Sequence, residues 1–322
     1  MSAGSGTKAI LAALGANLGI ALLKFIAFLI TSSSSMLAES VHSVADSGNQ
    51  ALLLVGNKRA QREASDRHPF GYGRERYIYA FIVSIVLFSV GGLFAMYEGY
   101  HKLAHPAELT HWYIAVGVLV GAIALESYSF RTAVRESNPI RGSQSWVQFI
   151  RRARAPELPV VLLEDFAALV GLILALLAIA VAVVTGDPSW DGVGTILIGV
   201  LLTFVAVVLA LETKSLLLGE SATADDTDRI CAALTDDPSV EGVIHMKTMH
   251  LGPDELLVAA KIAVHRADRA EHVAQTIDRA EERIRAAVPK ARVIYLEPDI
   301  YSAEAARRGS DLPPVPGSAS PH

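Results

Sequence analysis

What most constrains this chain is a series of six mainly apolar segments, at about residues 9–31, 36–57, 77–100, 112–130, 159–184 and 190–212. A helix needs roughly 20 such residues to cross the hydrocarbon core of a bilayer. Within lipid every backbone polar group has to be satisfied inside the segment, so stretches of this length read as spanning helices. A hydrophobic fraction of 52% fits that reading. The first segment follows no long basic region and precedes no small-residue cleavage pattern, so it reads as a retained span and not a signal peptide.

The connections between the segments differ in charge. The second holds Lys58, Arg59, Arg62, Arg67, Arg74 and Arg76; the fourth holds Arg131, Arg135, Arg141, Arg151, Arg152 and Arg154. The other three share only Lys102. Basic loops stay on the cytoplasmic side, which puts the second and fourth connections, and with an even number of spans both termini, in the cytoplasm. The absence of a targeting segment and the Ala/Arg-rich composition point to a bacterial cytoplasmic (inner) membrane.

After Leu218 the pattern becomes that of a small soluble domain. "TADDTDRICAALTDD" and "DRAEHVAQTIDRAEERIRAAV" read as helices, while "VEGVIHMKTMHL", "ELLVAAKIAVH" and "ARVIYLEP" read as strands. The expected fold is therefore an α-helical membrane protein with six transmembrane helices (residues 1–218) and a cytoplasmic α+β domain of order αββαβ (219–301). The tail 302–322, rich in Pro, Gly and Ser, is expected to be disordered. A net charge of −5 argues against a nucleic-acid partner, and the single cysteine, Cys231, excludes an internal disulfide and a CxxC metal site.

The second segment carries charge where lipid is expected. Glu39, His42, Asp46 and Asn49 fall at i, i+3, i+7 and i+10, one face of a helix. The fifth carries Glu164 and Asp165 in an otherwise apolar run. A charged side chain at the bilayer centre costs at least ~2.5 kcal/mol on insertion scales, so it needs a partner, a cation or water. One imidazole with two or three carboxylates suits Zn2+, and Mn2+ or Fe2+ fit the carboxylate majority. Polar residues that simply join helices are the alternative. Glu126, near the cytoplasmic end of the fourth segment, either relays protons, lines the entrance or is capped by nearby arginines.

These features together resemble the cation diffusion facilitator family: six spans, "HSVAD" on the second, acids on the fifth, "HPFGYGRER" after the second and "HLGPDELLVAAKI" in the soluble domain. The resemblance covers about residues 8–300. "ESVHSVADSGNQ" and "VVLLEDFAALVGL" are most similar to the subgroup that includes the mitochondrial zinc transporter of animals and its bacterial relatives. It implies exchange of Zn2+, or a related divalent ion, for protons at a tetrahedral site with two ligands from each of spans two and five. His42, Asp46 and Asp165 match that pattern. Val161 stands where the remaining ligand would fall, and Glu164 is the first choice to replace it, ahead of water, Glu39 and Asn49. The resemblance also implies a loop site after the second span, where His68 and Asp66 remain but Tyr72 replaces a histidine, so it reads as degraded. In the soluble domain it implies metal between subunits of a homodimer. Here His245, His250, His265, His272, Glu297 and Asp299 are available, but Lys261 and Leu296 occupy places where ligands are expected.

Metal binding requires deprotonated ligands, so ion entry displaces protons, and an imidazole suits that exchange. Neither a nucleotide-binding GxxxxGK[ST] loop nor a metalloprotease HExxH occurs. An aspartyl intramembrane hydrolase and a non-transporting membrane scaffold are the readings of other classes.

Overall fold

The computed structural model describes residues 4–31, 34–106 and 112–301, without the side chains of residues 4–5, 31, 34–39, 41–42 and 45. The tail at 302–322 lies outside the described residues. The chain forms α1 (Gly4–Thr31), α2 (Ser34–Ala60), α3 (Glu75–Val86), a π-helical segment (Leu87–Leu93), α4 (Phe94–Ala104), α5 (Trp112–Arg141), α6 (Trp146–Arg152), α7 (Glu157–Thr185) and α8 (Ser189–Leu218). Then follow α9 (Ala224–Thr235), β1 (Val240–Gly252), β2 (Glu255–Val264), α10 (Ala270–Ala287) and β3 (Ala291–Asp299).

Among the described residues, five helices are long and apolar enough to cross a membrane: α1, the continuous Glu75–Ala104 helix, α5, α7 and α8. The expected sixth, α2, has the length (27 residues) but not the apolarity. It packs in the bundle against α1 and α3 and completes a six-helix membrane domain. Ala9, Ile10, Leu53, Ala80, Ala133, Val161, Ala167 and Leu209 belong to one apolar core contributed by all six helices.

Two features of the bundle are matters of backbone. The helix from Glu75 is interrupted by one π-helical stretch, "LFSVGGL", a widening often found where function requires it. Its Gly92, with Gly99 seven residues on, meets Gly192 and Gly199 of α8, which have the same spacing. A methyl built on Gly99 would lie 2.7 Å from the Ile196 backbone nitrogen, and one on Gly199 would lie 2.7 Å from that of Met96. Small residues thus bring the two backbones into contact, the usual means of helix association where lipid removes the hydrophobic drive.

The chain divides into two compact units. One holds the chain up to Glu63 and Glu75–Ser215; the other holds Ala64–Arg74 and the chain from Leu216 onward. The soluble unit has a three-stranded sheet of order β1-β2-β3, antiparallel between β1 and β2 and parallel between β2 and β3. A parallel pair needs a crossover, and α10 supplies it. Leu256, Val258 and Ile262 on alternate positions of β2 are buried with Ile230 and Leu234 of α9 and Ile284 of α10. Thr223 caps α9 by accepting from the Asp226 backbone N–H at 3.2 Å. The loop 64–74 belongs to this unit because Gly73 lies against the backbone of Leu251 and Gly252, so close that a Cβ on Gly252 would fall 2.8 Å from Gly73 Cα.

Candidate metal-transport site

The acidic pair of the fifth span sits on α7, and a helix turns about 100° per residue. Glu164 and Asp165 therefore face different neighbours. Glu164 faces α2: Asn49 Nδ2 donates to its Oε1 at 3.0 Å and Gln50 Nε2 donates to its Oε2 at 2.9 Å. Asn17 of α1 extends the network by donating to Gln50 Oε1 at 3.3 Å. Asp165 faces α5: Ser129 Oγ donates to its Oδ2 at 2.6 Å, and Glu126 lies within hydrogen-bonding reach. Both carboxylates are buried, Glu164 at 7% exposure and Asp165 at 1%.

A cavity of about 250 Å³ joins these groups, lined by Asp46, Glu126 and Glu164. It continues to the end of the bundle that carries the third and fifth connections. There Lys102 of α4 pairs with Asp191 of α8 at 2.9 Å and with Glu98 at 3.8 Å, and all three residues line the cavity.

Of the residues singled out from sequence, Asp46 and Glu164 line the cavity, and Asp165 adjoins it through Glu126. The side chains of His42 and Glu39 lie outside the described residues. Asn49 joins α2 to Glu164. Val161 is fully buried in the apolar core and offers no donor. Glu126, for which sequence left several roles open, is 2% exposed and turned to Asp165 and the cavity. Among the described residues no three His, Cys, Asp or Glu side chains are placed to hold one ion. Sequence reasoning missed Asn17, Gln50 and Ser129. Their signal was present, since each is a polar residue inside a spanning segment, and Ser129 lies one turn from Glu126 on the same face.

The other two candidate regions have other partners. In the loop, the His68 ring stacks on Tyr72 with centroids 4.7 Å apart, and Ser65 Oγ lies 3.2 Å from Tyr72 Oη. In the soluble unit His250 is fully buried, with Nδ1 3.3 Å from the Gly252 carbonyl oxygen. His265 is half-exposed and bound to Glu241 at 2.6 Å, and its imidazole is pushed up from the ordinary value chiefly by that hydrogen bond. Lys261 Nζ lies 2.8 Å from Glu297 and 3.2 Å from Asp299. An ammonium thus sits between two carboxylates there, and their hydrogen bonds hold it above its ordinary pKa.

A family model for the cation efflux transmembrane domain matches residues 10–218. The chain belongs to the cation diffusion facilitator family. Members of this family are divalent-metal transporters and not enzymes. The mitochondrial proton-coupled zinc antiporter SLC30A9 of Homo sapiens is 31% identical over 241 residues, covering 74% of this chain and 42% of that protein. Metal tolerance protein C4 of Arabidopsis thaliana is 29% identical over 257 residues, covering 79% and 56%. Magnetosome protein MamB of Magnetospirillum gryphiswaldense is 26% identical over 285 residues, covering 87% and 89%. The chain spans less than half the length of the human relative.

Proposed function

We propose that the protein exports a divalent cation, Zn2+ foremost, from the cytoplasm in exchange for protons. The observation that carries this reading is the cavity inside an apolar bundle, lined by Asp46, Glu126 and Glu164 and adjoining Asp165. So many carboxyl groups around one cavity in a lipid-embedded domain mark an ion path by default. The proton-coupled zinc antiporter among the relatives supports the same cargo and the same driving ion.

In this reading His42, Asp46 and Asp165 contact the ion. Glu164 adds negative charge at the edge of the site, its oxygens held towards α2 by Asn49 and Gln50. Binding displaces protons from the donors, and reprotonation on the far side releases the metal. The cavity's extension towards Lys102 and Asp191 supports a conformation open at the outer end of the bundle, given basic loops in the cytoplasm. Alternation would come from movement of one helix group against another. The π-helical segment beside the cavity is a natural flexing point, because its Leu87 and Gly91 line it. The carboxylate majority also favours a second cargo reading, Mn2+ or Fe2+.

The protein is further proposed to sit in a bacterial cytoplasmic membrane with both termini inside, and to form a twofold homodimer through residues 219–301. The open sheet face supports the dimer: Leu257, Ala259 and Lys261 alternate with the buried residues of β2, and Tyr295 beside Ala259 is 60% exposed. The deciding experiment is Zn2+ uptake into proteoliposomes with and without an imposed pH difference. Uptake abolished by Asp165→Asn and accelerated by an acidic compartment on the trans side is expected. Uptake indifferent to the gradient would remove proton exchange, and a variant that transports as well as the parent would remove the site.

A further inference from the structure

Val161 leaves the site one donor short, and Glu164 is turned to α2 by two amide groups. With both Glu164 oxygens engaged by α2 amides, a donor beside Asp165 would complete the set. We propose that Glu126 of α5 supplies it, so that the cargo ion is held by three helices, α2, α5 and α7. The inference rests on the transport reading above and names a ligand for that same site.

Four observations carry it. Glu126 is 2% exposed within a spanning helix, where an unpaired charged head group is costly. Its Oε2 has no hydrogen-bond partner, and a buried carboxylate oxygen without one is a costly arrangement that a cation would relieve. The side chain lines the cavity shared with Asp46 and Glu164, so an ion reaching Asp46 from that cavity meets it. Finally, Ser129, one turn further along α5, donates to Oδ2 of Asp165. That bond fixes Asp165 against the same face of α5 that presents Glu126.

The nearest rival is Asn49, whose Oδ1 is also unpartnered and whose side chain is 1% exposed. Its amide oxygen is neutral and its nitrogen is committed to Glu164. A divalent ion favours the charged oxygen, and Glu126 is the residue within reach of Asp165.

The test is Zn2+ binding to the purified full-length protein in detergent, measured by competition with a fluorescent chelator. The variants are Glu126→Gln, Asp46→Asn and Asp165→Asn. Removing groups that merely orient ligands typically costs about 10- to 100-fold in metal affinity, so loss of a direct ligand in Glu126→Gln is expected to weaken binding at least that much. Zinc K-edge absorption of that variant is expected to show one oxygen neighbour fewer than the parent. If Glu126→Gln does not fold, Glu126→Asp keeps the carboxylate, shortens its reach and is expected to bind with intermediate affinity. Parental affinity in the Glu126 variant, alongside loss in Asp46→Asn and Asp165→Asn, would overturn the assignment and leave the transport site standing. Parental affinity in all three would overturn the site itself.

Discussion

Replacing Gln50 by leucine tests whether Glu164 is held as a charged group by α2. Gln50 is fully buried and makes two side-chain hydrogen bonds, accepting from Asn17 at 3.3 Å and donating to Glu164 at 2.9 Å. Leucine has a similar volume, so little cavity is left and the cost is that of the bonds. A bond to a charged group contributes about 1.5–3 kcal/mol. A neutral interhelical bond within a membrane averages about 0.6 kcal/mol. Summing the two bonds puts the loss for Gln50→Leu at about 2–3.5 kcal/mol. In a Glu164→Gln background the bond to position 164 is already neutral, and the same substitution should cost only about 1 kcal/mol. The double-mutant cycle should therefore return a coupling of about 1–2.5 kcal/mol. The assay is reversible unfolding of the detergent-solubilised protein in mixed micelles, followed by circular dichroism for the parent, both single variants and the double. A coupling below about 0.5 kcal/mol, the scatter expected of independent sites, would refute the idea that the amides of α2 hold a charged Glu164.

Other outcomes follow from the same structure. Gly99→Leu should force α4 from α8, since a methyl alone would meet Gly192 O at 2.9 Å; a melting temperature within a degree of the parent would argue against that close crossing. Lys102→Gln frees Asp191 and Glu98 at that end of the cavity and should slow metal release in single-turnover efflux from proteoliposomes, whereas unchanged efflux would leave the ion cluster a simple helix link. Burial pushes the Asp237 carboxyl up, but the Ser239 N–H, the Arg279 guanidinium and the Ser239 hydroxyl more than offset it and bring it from 3.8 to about 2. A depressed carboxylate stabilises above its ordinary pKa, and that contribution fades as pH falls from about 4 towards 2. It amounts to about 2 kcal/mol at neutral pH. Hydrogen exchange in α9, β1 and α10 of the full chain should quicken by that much in Asp237→Asn at pH 7, and an unchanged rate would show that Asp237 contributes nothing.

The spans, the soluble fold and the acids inside the bundle could be read from the chain because each is a local pattern. Twenty apolar residues declare a spanning helix, period-two alternation declares β2, and Asp165 stands out in an apolar run. Partnership is not local. The chain placed Glu164 and Asp165 side by side, and only the orientation of α7 between α2 and α5 decides that one meets Asn49 and Gln50 while the other meets Ser129 and Glu126. The same holds for the loop 64–74, whose membership of the soluble unit depends on Gly73 meeting Gly252 far along the chain. The Gly92/Gly99 and Gly192/Gly199 pairs were half legible: two spans with glycines at equal spacing suggest a close crossing, but not which spans cross.

The second helix shows why polarity inside a membrane domain is informative even before its partners are known. By apolarity alone α2 would not be counted a span, as Ser40, Ser43, Ser47, Asn49 and Gln50 all lie on it and all are buried. Four of them bond to partners within the bundle. Ser40 Oγ donates to the Ala21 carbonyl at 2.9 Å, Ser47 Oγ to that of Ser43 at 3.0 Å, and the two amides to Glu164. These bonds lower the cost of keeping α2 away from water, but they do so by enclosing a carboxylate. A helix that served only to pack would reach the same stability with leucine and alanine and without Glu164. Retaining both the amides and the acid makes sense if the enclosed acid has a use, and beside Asp46, Glu126 and Asp165 the use proposed above is to draw a cation into the bundle.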